Sequence, residues 1–214
     1  MQIMKRMYLA SSIDITAGSI ARDIGQDPKK LKLVFISTAA EPEKGDKQWL
    51  QDDRNGLVKA GFNLFDYTIT GKTLADIERD LKEVDIIHVN GGNSFYLLLQ
   101  ARKSGFEKWI RKVIISGEKI YLGSSAGSMI AAPNIEIAKK VETRDYEGKL
   151  KSFESFGLVN FLAFPHWGSE SFKSIYLKHG IAVAYKPENK IILLNDWQYI
   201  RVEGNSYRII DIRD

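Results

Sequence analysis

Short apolar runs rich in β-branched and aromatic residues recur along the first 125 residues, and longer amphipathic stretches separate them. The runs are RMYLASS (6–12), KLVFIST (32–38), FNLFDYT (62–68), DIIHVNGG (85–92) and KIYLGSS (119–125). They are too apolar for strands that cover a core with one face only. The pattern therefore predicts central parallel strands that are buried on both faces.

The stretches between these runs have the spacing of amphipathic helices. In TLADIERDLKEV (73–84), Leu74, Ile77 and Leu81 fall on one face, and Thr73 with Asp76 approximates a capping box. SGFEKWIRKVIISG (104–117) has the same spacing. Alternating strands and helices predict an α/β fold in which helices cover both faces of a parallel sheet through right-handed crossovers.

The C-terminal part has a different pattern. NKIILLND (189–196), YIRVEGN (199–205) and YRIIDIR (207–213) are short strand-like runs separated by turn residues, with a hairpin turn predicted at Gly204 and Asn205. We expect a small antiparallel extension on the parallel body. With 214 residues and no linker or repeat, the chain is predicted to be one domain, 1–214.

Composition removes several classes of protein. The chain has no cysteine, so disulfides, thiolate metal sites and a cysteine nucleophile are excluded. No apolar run approaches the roughly 18 residues of a membrane span, and the first residues lack the apolar core of a signal peptide. The formal charge of +4 comes from interspersed charges. We therefore expect a soluble cytoplasmic protein that binds neither nucleic acid nor membrane.

The stretch GSSAGS (123–128) lies where a strand should pass into a helix. The pattern G-x-S-x-G at such a junction is typical of a nucleophile elbow, in which a sharp turn lifts one serine hydroxyl above the carboxyl edge of the sheet. Ser125 is that serine, and Gly123 and Gly127 keep side-chain bulk out of the turn. The alternative is a turn of small residues that only lets helix and strand pack closely.

A serine nucleophile needs a base, and the chain has three histidines. His88 lies inside an apolar run and is interpreted as a core residue. His179 lies near the end of a charged helix, where a surface position is expected. His166 follows FLAFP (161–165), so a strand delivers it, and Trp167 is expected to shield it from water. His166 is therefore the candidate base.

The candidate acid is Asp196, which directly follows an apolar run, and Glu170 and Glu136 are the alternatives. The order of these residues separates two folds. An α/β-hydrolase has serine, then acid, then histidine near its end, whereas here His166 precedes Asp196. This order disfavours a hydrolase-fold esterase.

The stretch HVNGGNSFYLLLQ (88–100) predicts a second part of the site. Its two glycines follow a strand, and Asn93 or Ser94 is placed to cap the next helix. A glycine amide at this position can approach a substrate carbonyl closely. The alternative is an ordinary turn between strand and helix.

Together, NGGNSFYLL, GSSAGS, FPHW and LLNDWQYIRVEG resemble, in this order, the aspartyl dipeptidase (peptidase E) family of serine peptidases, which is related to cyanophycinase. The resemblance covers nearly the whole chain. It implies a three-layer α/β/α fold like that of class I glutamine amidotransferases, which is flavodoxin-like. It also implies a catalytic triad of Ser125, His166 and Asp196 and oxyanion-hole amides from Gly92 and Ala126, with no metal and no cofactor.

The sequence departs from the family pattern in one respect. Members that select an N-terminal aspartate have an arginine downstream of the catalytic histidine. Between His166 and Asp196 this chain has no arginine, only Lys173, Lys178, Lys186 and Lys190. A lysine cannot form the bidentate pair with a carboxylate that arginine forms. A dipeptidase of broader preference is therefore as consistent with the sequence as an aspartyl dipeptidase.

These residues predict a serine dipeptidase, monomeric or homodimeric, that binds a small peptide. Asn93, Glu136 and Glu170 are the candidate substrate-binding residues, and an acid such as Glu136 or Glu170 would hold the substrate amine. An esterase or amidase with the same triad, and a non-catalytic member that binds a small ligand, are the alternatives.

Overall fold

The computed structural model describes residues 4–139, 141–142 and 145–214 of the chain. The strands are β1 (Arg6–Ala10), β2 (Lys32–Ile36), β3 (Asn63–Tyr67), β4 (Ile86–Val89), β5 (Ile120–Ser124), β6 (Leu162–Phe164), β7 (Ile191–Leu193), β8 (Gln198–Glu203) and β9 (Ser206–Asp211). The α-helices are α1 (Ile13–Ile24), α2 (Gln48–Lys59), α3 (Leu74–Asp80), α4 (Ser94–Ser104), α5 (Phe106–Ile115), α6 (Ala126–Met129), α7 (Glu170–Ile175) and α8 (Ile181–Ala184).

Short helical turns complete the description. The 3-10 turns are Pro28–Lys30, Thr38–Ala40, Glu136–Ala138 and Glu147–Lys149, and a π-helical turn, Tyr176–Gly180, joins α7 to α8. Among the residues described, no helix combines the length and the apolar character that crossing a bilayer requires.

The main sheet of the described chain has seven strands in the order β3-β2-β4-β5-β1-β8-β9. The five strands from β3 to β1 are parallel, and β8 and β9 continue the sheet in antiparallel pairing. The predicted α/β fold, with a mostly parallel sheet and antiparallel strands at its C-terminal end, is therefore confirmed. The hairpin between β8 and β9 turns at Gly204, whose φ of 60° is left-handed.

Two expectations about strands were wrong in part. Strand β7 is not part of the antiparallel extension. It pairs in parallel with β6 in a separate two-stranded sheet, and the places on both sides of β1 are taken by β5 and β8. Strand β3 is not buried on both faces, because it lies at the edge of the main sheet and leaves Phe65 40% exposed.

The core forms on both faces of the main sheet because side chains alternate along each strand. Met7 and Leu9 of β1 pack on one side with residues of α4 and α5. Tyr8 and Ala10 pack on the other side with residues of α1 and α2. The result is a three-layer arrangement of helices, sheet and helices.

Helix α3 begins as the sequence predicts. Thr73 and Asp76 form a complete capping box, in which each side chain accepts a hydrogen bond from the other residue's backbone N–H. Ile77 and Leu81 are fully buried, whereas Leu74 is 39% exposed because it lies at the end of the helix.

Parallel strands β1, β4 and β5 end at the same edge of the sheet. The residues that follow them are Ser11, the segment 90–92 and Ser125. In open parallel sheets this carboxyl edge is where ligands bind. The fold therefore brings the serine turn and the glycine loop to the same edge of the sheet.

Candidate active site

Ser125 lies between the end of β5 and the first residue of α6, with φ 50° and ψ −115°. This backbone conformation is rare for a residue with a side chain and costs on the order of 1–3 kcal/mol. The N–H of Ser125 donates to the carbonyl of Ala10 at 3.2 Å, which holds the turn against the end of β1. The geometry is that of a nucleophile elbow.

Gly123 and Gly127 are required by close backbone contacts around this turn. A Cβ on Gly127 would lie 1.9 Å from the carbonyl oxygen of Val89, and a Cβ on Gly123 would lie 2.7 Å from the carbonyl oxygen of Gly127. Real Cβ atoms do not approach backbone this closely. The sequence pattern therefore reflects both a tight packing requirement and a partly exposed serine, and the two interpretations are compatible.

Ser124 has a different role from its neighbour. Its Oγ accepts the N–H of Ile13 at 3.2 Å and so caps the first turn of α1. Sequence reasoning treated Ser124 only as a small residue that the turn tolerates. The structure shows that its hydroxyl satisfies one of the helix amides that lack an acceptor inside the helix.

The structure brings Ser125, His166 and Asp196 together. His166 Nε2 lies 2.9 Å from Ser125 Oγ, and His166 Nδ1 lies 2.7 Å from Asp196 Oδ1. A neutral imidazole that donates from Nδ1 to the carboxylate can accept the serine proton at Nε2. The three side chains form a continuous hydrogen-bonded relay.

Strand β6 and the following Pro165 deliver His166 to this position. The φ of His166 is 57°, so the backbone turns sharply at the histidine. The ring of Phe172 stacks on the imidazole at a centroid distance of 4.9 Å and an angle of 13°. Trp167, expected to shield the histidine, instead packs edge-on against Phe164, and Phe172 covers the imidazole.

Asp196 follows β7 in a half-buried loop. Burial by itself would raise the pKa of Asp196, but hydrogen bonds from His166 and from Ser11 outweigh this and hold the pKa below its ordinary value. Asp196 is therefore ionised at neutral pH. A carboxylate in this position fixes the tautomer of the imidazole and stabilises its protonated form.

The glycine loop lies directly opposite the serine. A Cβ on Gly91 would lie 3.1 Å from the Cβ of Ser125, so the backbone of this loop touches the nucleophile turn. Gly92, with φ 127°, packs so closely on the carbonyl of Ala39 that a Cβ would lie 2.2 Å from its oxygen. Both glycines line the cavity described below.

Two other candidate residues occupy the starts of helices. Asn93 caps α4 by accepting the N–H of Tyr96 at 2.9 Å, and it also lines the cavity. Ala126 is the first residue of α6, so its N–H has no acceptor within that helix. Both positions are those at which sequence analysis expected them.

The remaining histidines are outside this relay. His88 is fully buried, stacks on Phe35 and shares a hydrogen bond with Asn90 at 3.1 Å. Burial lowers the pKa of His88 to about 4, so the side chain is neutral and structural. His179 lies in the π-helical turn and is partly exposed.

A cavity of about 570 Å³ opens at Ser125 and His166. Five carboxyl side chains line its walls, and we call them the acidic wall: Asp14, Glu43, Asp52, Asp53 and Glu142. No lysine or arginine of the described chain is among the lining residues. The walls therefore favour a ligand that carries positive charge on the part that enters.

Close packing of α1 on α2 forms most of the acidic wall. A Cβ on Gly56 would lie 2.6 Å from the Cα of Asp14, so the two helices cross in contact at this glycine. The crossing brings Asp14 beside Asp53. Burial raises the pKa of Asp53 to about 7, with a partly opposing effect of the Asn90 side chain, and burial also raises the pKa of Asp14.

Glu142 belongs to a different segment of the wall. Its carboxyl group accepts the backbone N–H of Ser94 at 2.7 Å and the hydroxyl of Ser94 at 2.6 Å, at the start of α4. Burial raises the pKa of Glu142 to about 7 in spite of these hydrogen bonds. The start of α4 thus has its own carboxyl partner beside the glycine loop.

The structure does not bring Glu136 and Glu170 to the cavity. Glu136 pairs with Lys186 at 2.5 Å and with Lys139 at 3.4 Å. Glu170 lies at the exposed start of α7 and pairs with Lys173 at 3.0 Å. The carboxyl groups that line the cavity are instead those of the acidic wall.

Sequence reasoning missed Ser11, Phe172 and the acidic wall. Ser11 had a usable signal, since a serine directly after the first strand must lie at the carboxyl edge of the sheet. Asp52 and Asp53 had none, because an acidic pair in a polar helix is ordinarily a solvated face.

Comparison with known proteins places this geometry in a family. The model of peptidase family S51 matches residues 16–210. The chain belongs to this family. It is therefore a serine-type peptidase, and the S51 assignment agrees with the relay that starts at Ser125.

Individual relatives agree with the S51 assignment. An uncharacterized peptidase of Pasteurella multocida is 33% identical over 77% of this chain and 78% of its own length. A peptidase E of Streptomyces coelicolor is 28% identical over 76% of this chain and 59% of its own length. The 1.5 Å crystal structure of a peptidase E candidate from Listeria monocytogenes covers 98% of this S51 peptidase and 99% of its own chain, at 26% identity and a TM-score of 0.87.

Proposed function

We propose that this S51 peptidase hydrolyses dipeptides or very short peptides, with Ser125 as nucleophile, His166 as general base and Asp196 as the orienting acid. The observation that carries the proposal is the relay of 2.9 Å and 2.7 Å contacts on a strained turn, at the mouth of a cavity. A nucleophile, its base and the base's orienting acid in this arrangement are the parts that acyl transfer requires.

The reaction then proceeds in two steps. The proton of Ser125 Oγ passes to His166 Nε2 as Oγ forms a bond to the peptide carbonyl carbon. His166 gives this proton to the leaving amine as the C–N bond breaks, which leaves an acyl ester on Ser125. Water, deprotonated by His166, then attacks the ester carbonyl carbon. The C–O bond to Ser125 breaks, His166 returns the proton to Ser125 Oγ, and the acyl group leaves as a carboxylic acid.

The backbone amides of Gly92 and Ala126 are the proposed oxyanion-hole donors. Ala126 is the residue after the nucleophile and begins a helix, where the N–H has no intrahelical acceptor. Gly92 lines the cavity on the opposite side, in the loop that touches Ser125. Two amides in a site shielded from water stabilise a developing negative charge strongly.

The acidic wall supports a substrate with a free amino terminus. Its carboxylates attract an ammonium group, and no basic residue of the described lining would pair with an aspartate side chain. A neutral or basic N-terminal residue fits this wall better than aspartate does. A volume of about 570 Å³ is within the usual range of small-ligand pockets and suits two to three residues.

The test is a panel of dipeptides that varies the first residue, assayed with wild type and Ser125→Ala. Wild type should hydrolyse members with a neutral or basic first residue faster than members that begin with aspartate. Ser125→Ala should lower kcat by at least about 10⁴-fold. Ser124→Ala is the matched control, since it removes the adjacent hydroxyl but leaves the relay intact, and it should retain activity within about tenfold.

Other outcomes identify the alternatives. Equal turnover by wild type and Ser125→Ala would remove Ser125 from the mechanism. Hydrolysis of small acyl esters without turnover of any dipeptide would favour an esterase. Hydrolysis of N-acetylated dipeptides as fast as free ones would show that the acidic wall does not bind the substrate amine.

A further inference from the structure

Ser11 closes a ring of hydrogen bonds with two members of the relay. Its Oγ accepts the backbone N–H of His166 at 2.7 Å and donates to Asp196 Oδ1 at 2.7 Å. The same Oδ1 accepts from His166 Nδ1 at 2.7 Å. Ser11 is fully buried, so water does not compete for these contacts.

The ring joins three residues that follow different strands. Ser11 directly follows β1 in the centre of the main sheet, whereas His166 and Asp196 follow β6 and β7, which form the separate two-stranded sheet. Each of these two strands is only three residues long. Asp196 is also tied to β1 through β8, which begins two residues later, whereas His166 has no such strand beside it, so the position of the base relative to Ser125 depends on links such as Ser11.

The backbone of His166 makes this link necessary. A φ of 57° is unfavourable for a residue with a side chain and persists only where its surroundings fix it. Of the contacts to His166, the one from Ser11 Oγ fixes the backbone N–H, and the one from Asp196 fixes the ring. The first contact is made by Ser11 itself. The second is made by Asp196 Oδ1, the oxygen atom that also accepts the hydrogen bond of Ser11.

We infer that Ser11 is a positioning residue of the proposed triad, which holds the His166 backbone and the Asp196 carboxylate in one geometry through a single hydroxyl. The inference rests on the proposed function, because it assigns a role within that same relay. Ser11 itself does not exchange a proton with the substrate. Its hydroxyl also contributes to the lowered pKa of Asp196.

The test compares Ser11→Ala with Ser11→Thr, which keeps the hydroxyl. Ser11→Ala should lower kcat on the best dipeptide by about 10- to 100-fold, with KM changed less than about threefold, because the base is misplaced while the acidic wall is intact. The acid side of its pH profile should move to higher pH, since Asp196 loses a donor that stabilises the carboxylate. Ser11→Thr should recover most of the lost kcat.

The matched control is Ser155→Ala. Ser155 is also buried, and its hydroxyl donates to the backbone carbonyl of Ala132 at 2.6 Å, away from the relay. This variant should keep the wild-type kcat and pH profile whatever it does to stability. If Ser11→Ala does not fold, Ser11→Cys, whose thiol forms weaker hydrogen bonds in the same space, provides the same comparison with a smaller loss of kcat.

A measurement without substrate separates this inference from the proposed function. In the free protein, the proton on His166 Nδ1 should give a downfield NMR signal, and this signal should weaken in Ser11→Ala while the carboxyl carbon of Asp196 titrates at higher pH. Absence of dipeptide hydrolysis by wild type would refute the proposed function but not this prediction. An unchanged His166 signal and an unchanged Asp196 titration in Ser11→Ala would overturn the positioning role.

Discussion

Asp53 lines the cavity and Asp196 binds the His166 imidazole beside it, but the two carboxyl groups lie in opposite electrostatic environments. Asp196 accepts hydrogen bonds from Ser11 and His166, and its pKa is lowered. Asp53 is 8% exposed, forms no ion pair in the described chain, and burial raises its pKa to about 7. Hydrogen bonds keep the first carboxyl group ionised, whereas burial outweighs the hydrogen bonds of the second.

This difference separates the relay, whose residues follow strands, from the acidic wall. The relay residues follow strands and have their partners within 3 Å before any ligand arrives, so their geometry is preorganised. The carboxyl groups of the wall are crowded against one another, and a cationic ligand would relieve this crowding. Environments that drive two pKa values apart commonly mark different roles in one site.

The largest effect is expected from a substitution at Gly127, which would disrupt the turn that carries Ser125. In Gly127→Ala, the new Cβ would lie 1.9 Å from the carbonyl oxygen of Val89, so the elbow must separate from β4. We expect a loss of about 3–5 kcal/mol in the free energy of unfolding, together with loss of activity. Urea denaturation followed by circular dichroism measures the first, and the dipeptide assay measures the second.

Gly148→Ala is the matched control for this substitution. An added Cβ at Gly148 meets no atom within 4 Å, and the residue does not have a left-handed φ. Its stability should change by less than about 0.5 kcal/mol. If Gly127→Ala were as stable and active as Gly148→Ala, the elbow would not depend on close backbone packing.

The second-largest effect is expected at Asp196, where a substitution should remove activity without unfolding the protein. Asp196→Asn keeps the size of the side chain but removes the charge that fixes the imidazole tautomer. We expect kcat to fall by about 10³–10⁴-fold. The thermal midpoint should change by no more than a few degrees.

Asp23→Asn is the comparison for Asp196→Asn. Asp23 also accepts two hydrogen bonds, from Tyr199 at 2.8 Å and Arg201 at 2.7 Å, but neither of these partners belongs to the relay. This variant should lose stability and retain kcat. Similar kcat values for the two variants would show that Asp196 is an ordinary structural carboxylate.

The sequence predicted well the main sheet and the positions of the residues that follow its strands, for a physical reason. Buried parallel strands are continuous apolar runs, so their ends, and the residues after them such as Ser125 and Gly92, can be located by pattern alone. The side on which β7 pairs could not be predicted, because a three-residue strand has no pattern that selects a partner. The apolar run that forms β3 did not show that this strand lies at the edge of the sheet.

The acidic wall was not predicted because it depends on a contact between two helices. Asp53 becomes buried only when Gly56 allows α2 to touch α1 at Asp14, and neither helix shows this in its own sequence. Glu136 and Glu170 were proposed as amine-binding acids from their place in the chain, but nearby lysines pair with both. Long-range contacts of this kind are what a single sequence conceals.

The smallest effect is expected at Asp53 in the acidic wall, and it appears as a dependence of stability on pH. A carboxyl group whose pKa is raised from about 3.9 in the unfolded chain to about 7 in the folded one binds more protons when folded, so it lowers the free energy of unfolding as pH rises from about 4 through about 7. Asp53→Asn removes this penalty. The variant should match wild type near pH 4 and exceed it by on the order of 1–3 kcal/mol at pH 8.

Urea denaturation at pH 4, 6 and 8 measures this difference, and Asp52→Asn is the control. Asp52 is adjacent and lines the same cavity but is exposed to solvent, so its substitution should change stability by less than about 0.5 kcal/mol at each pH. A gain for Asp53→Asn that is the same at all three pH values would contradict a titrating carboxyl group. If the acidic wall binds the substrate amine, a dipeptide should stabilise wild type more than Asp53→Asn at pH 8, because wild type then has one more carboxylate for the ammonium group to neutralise.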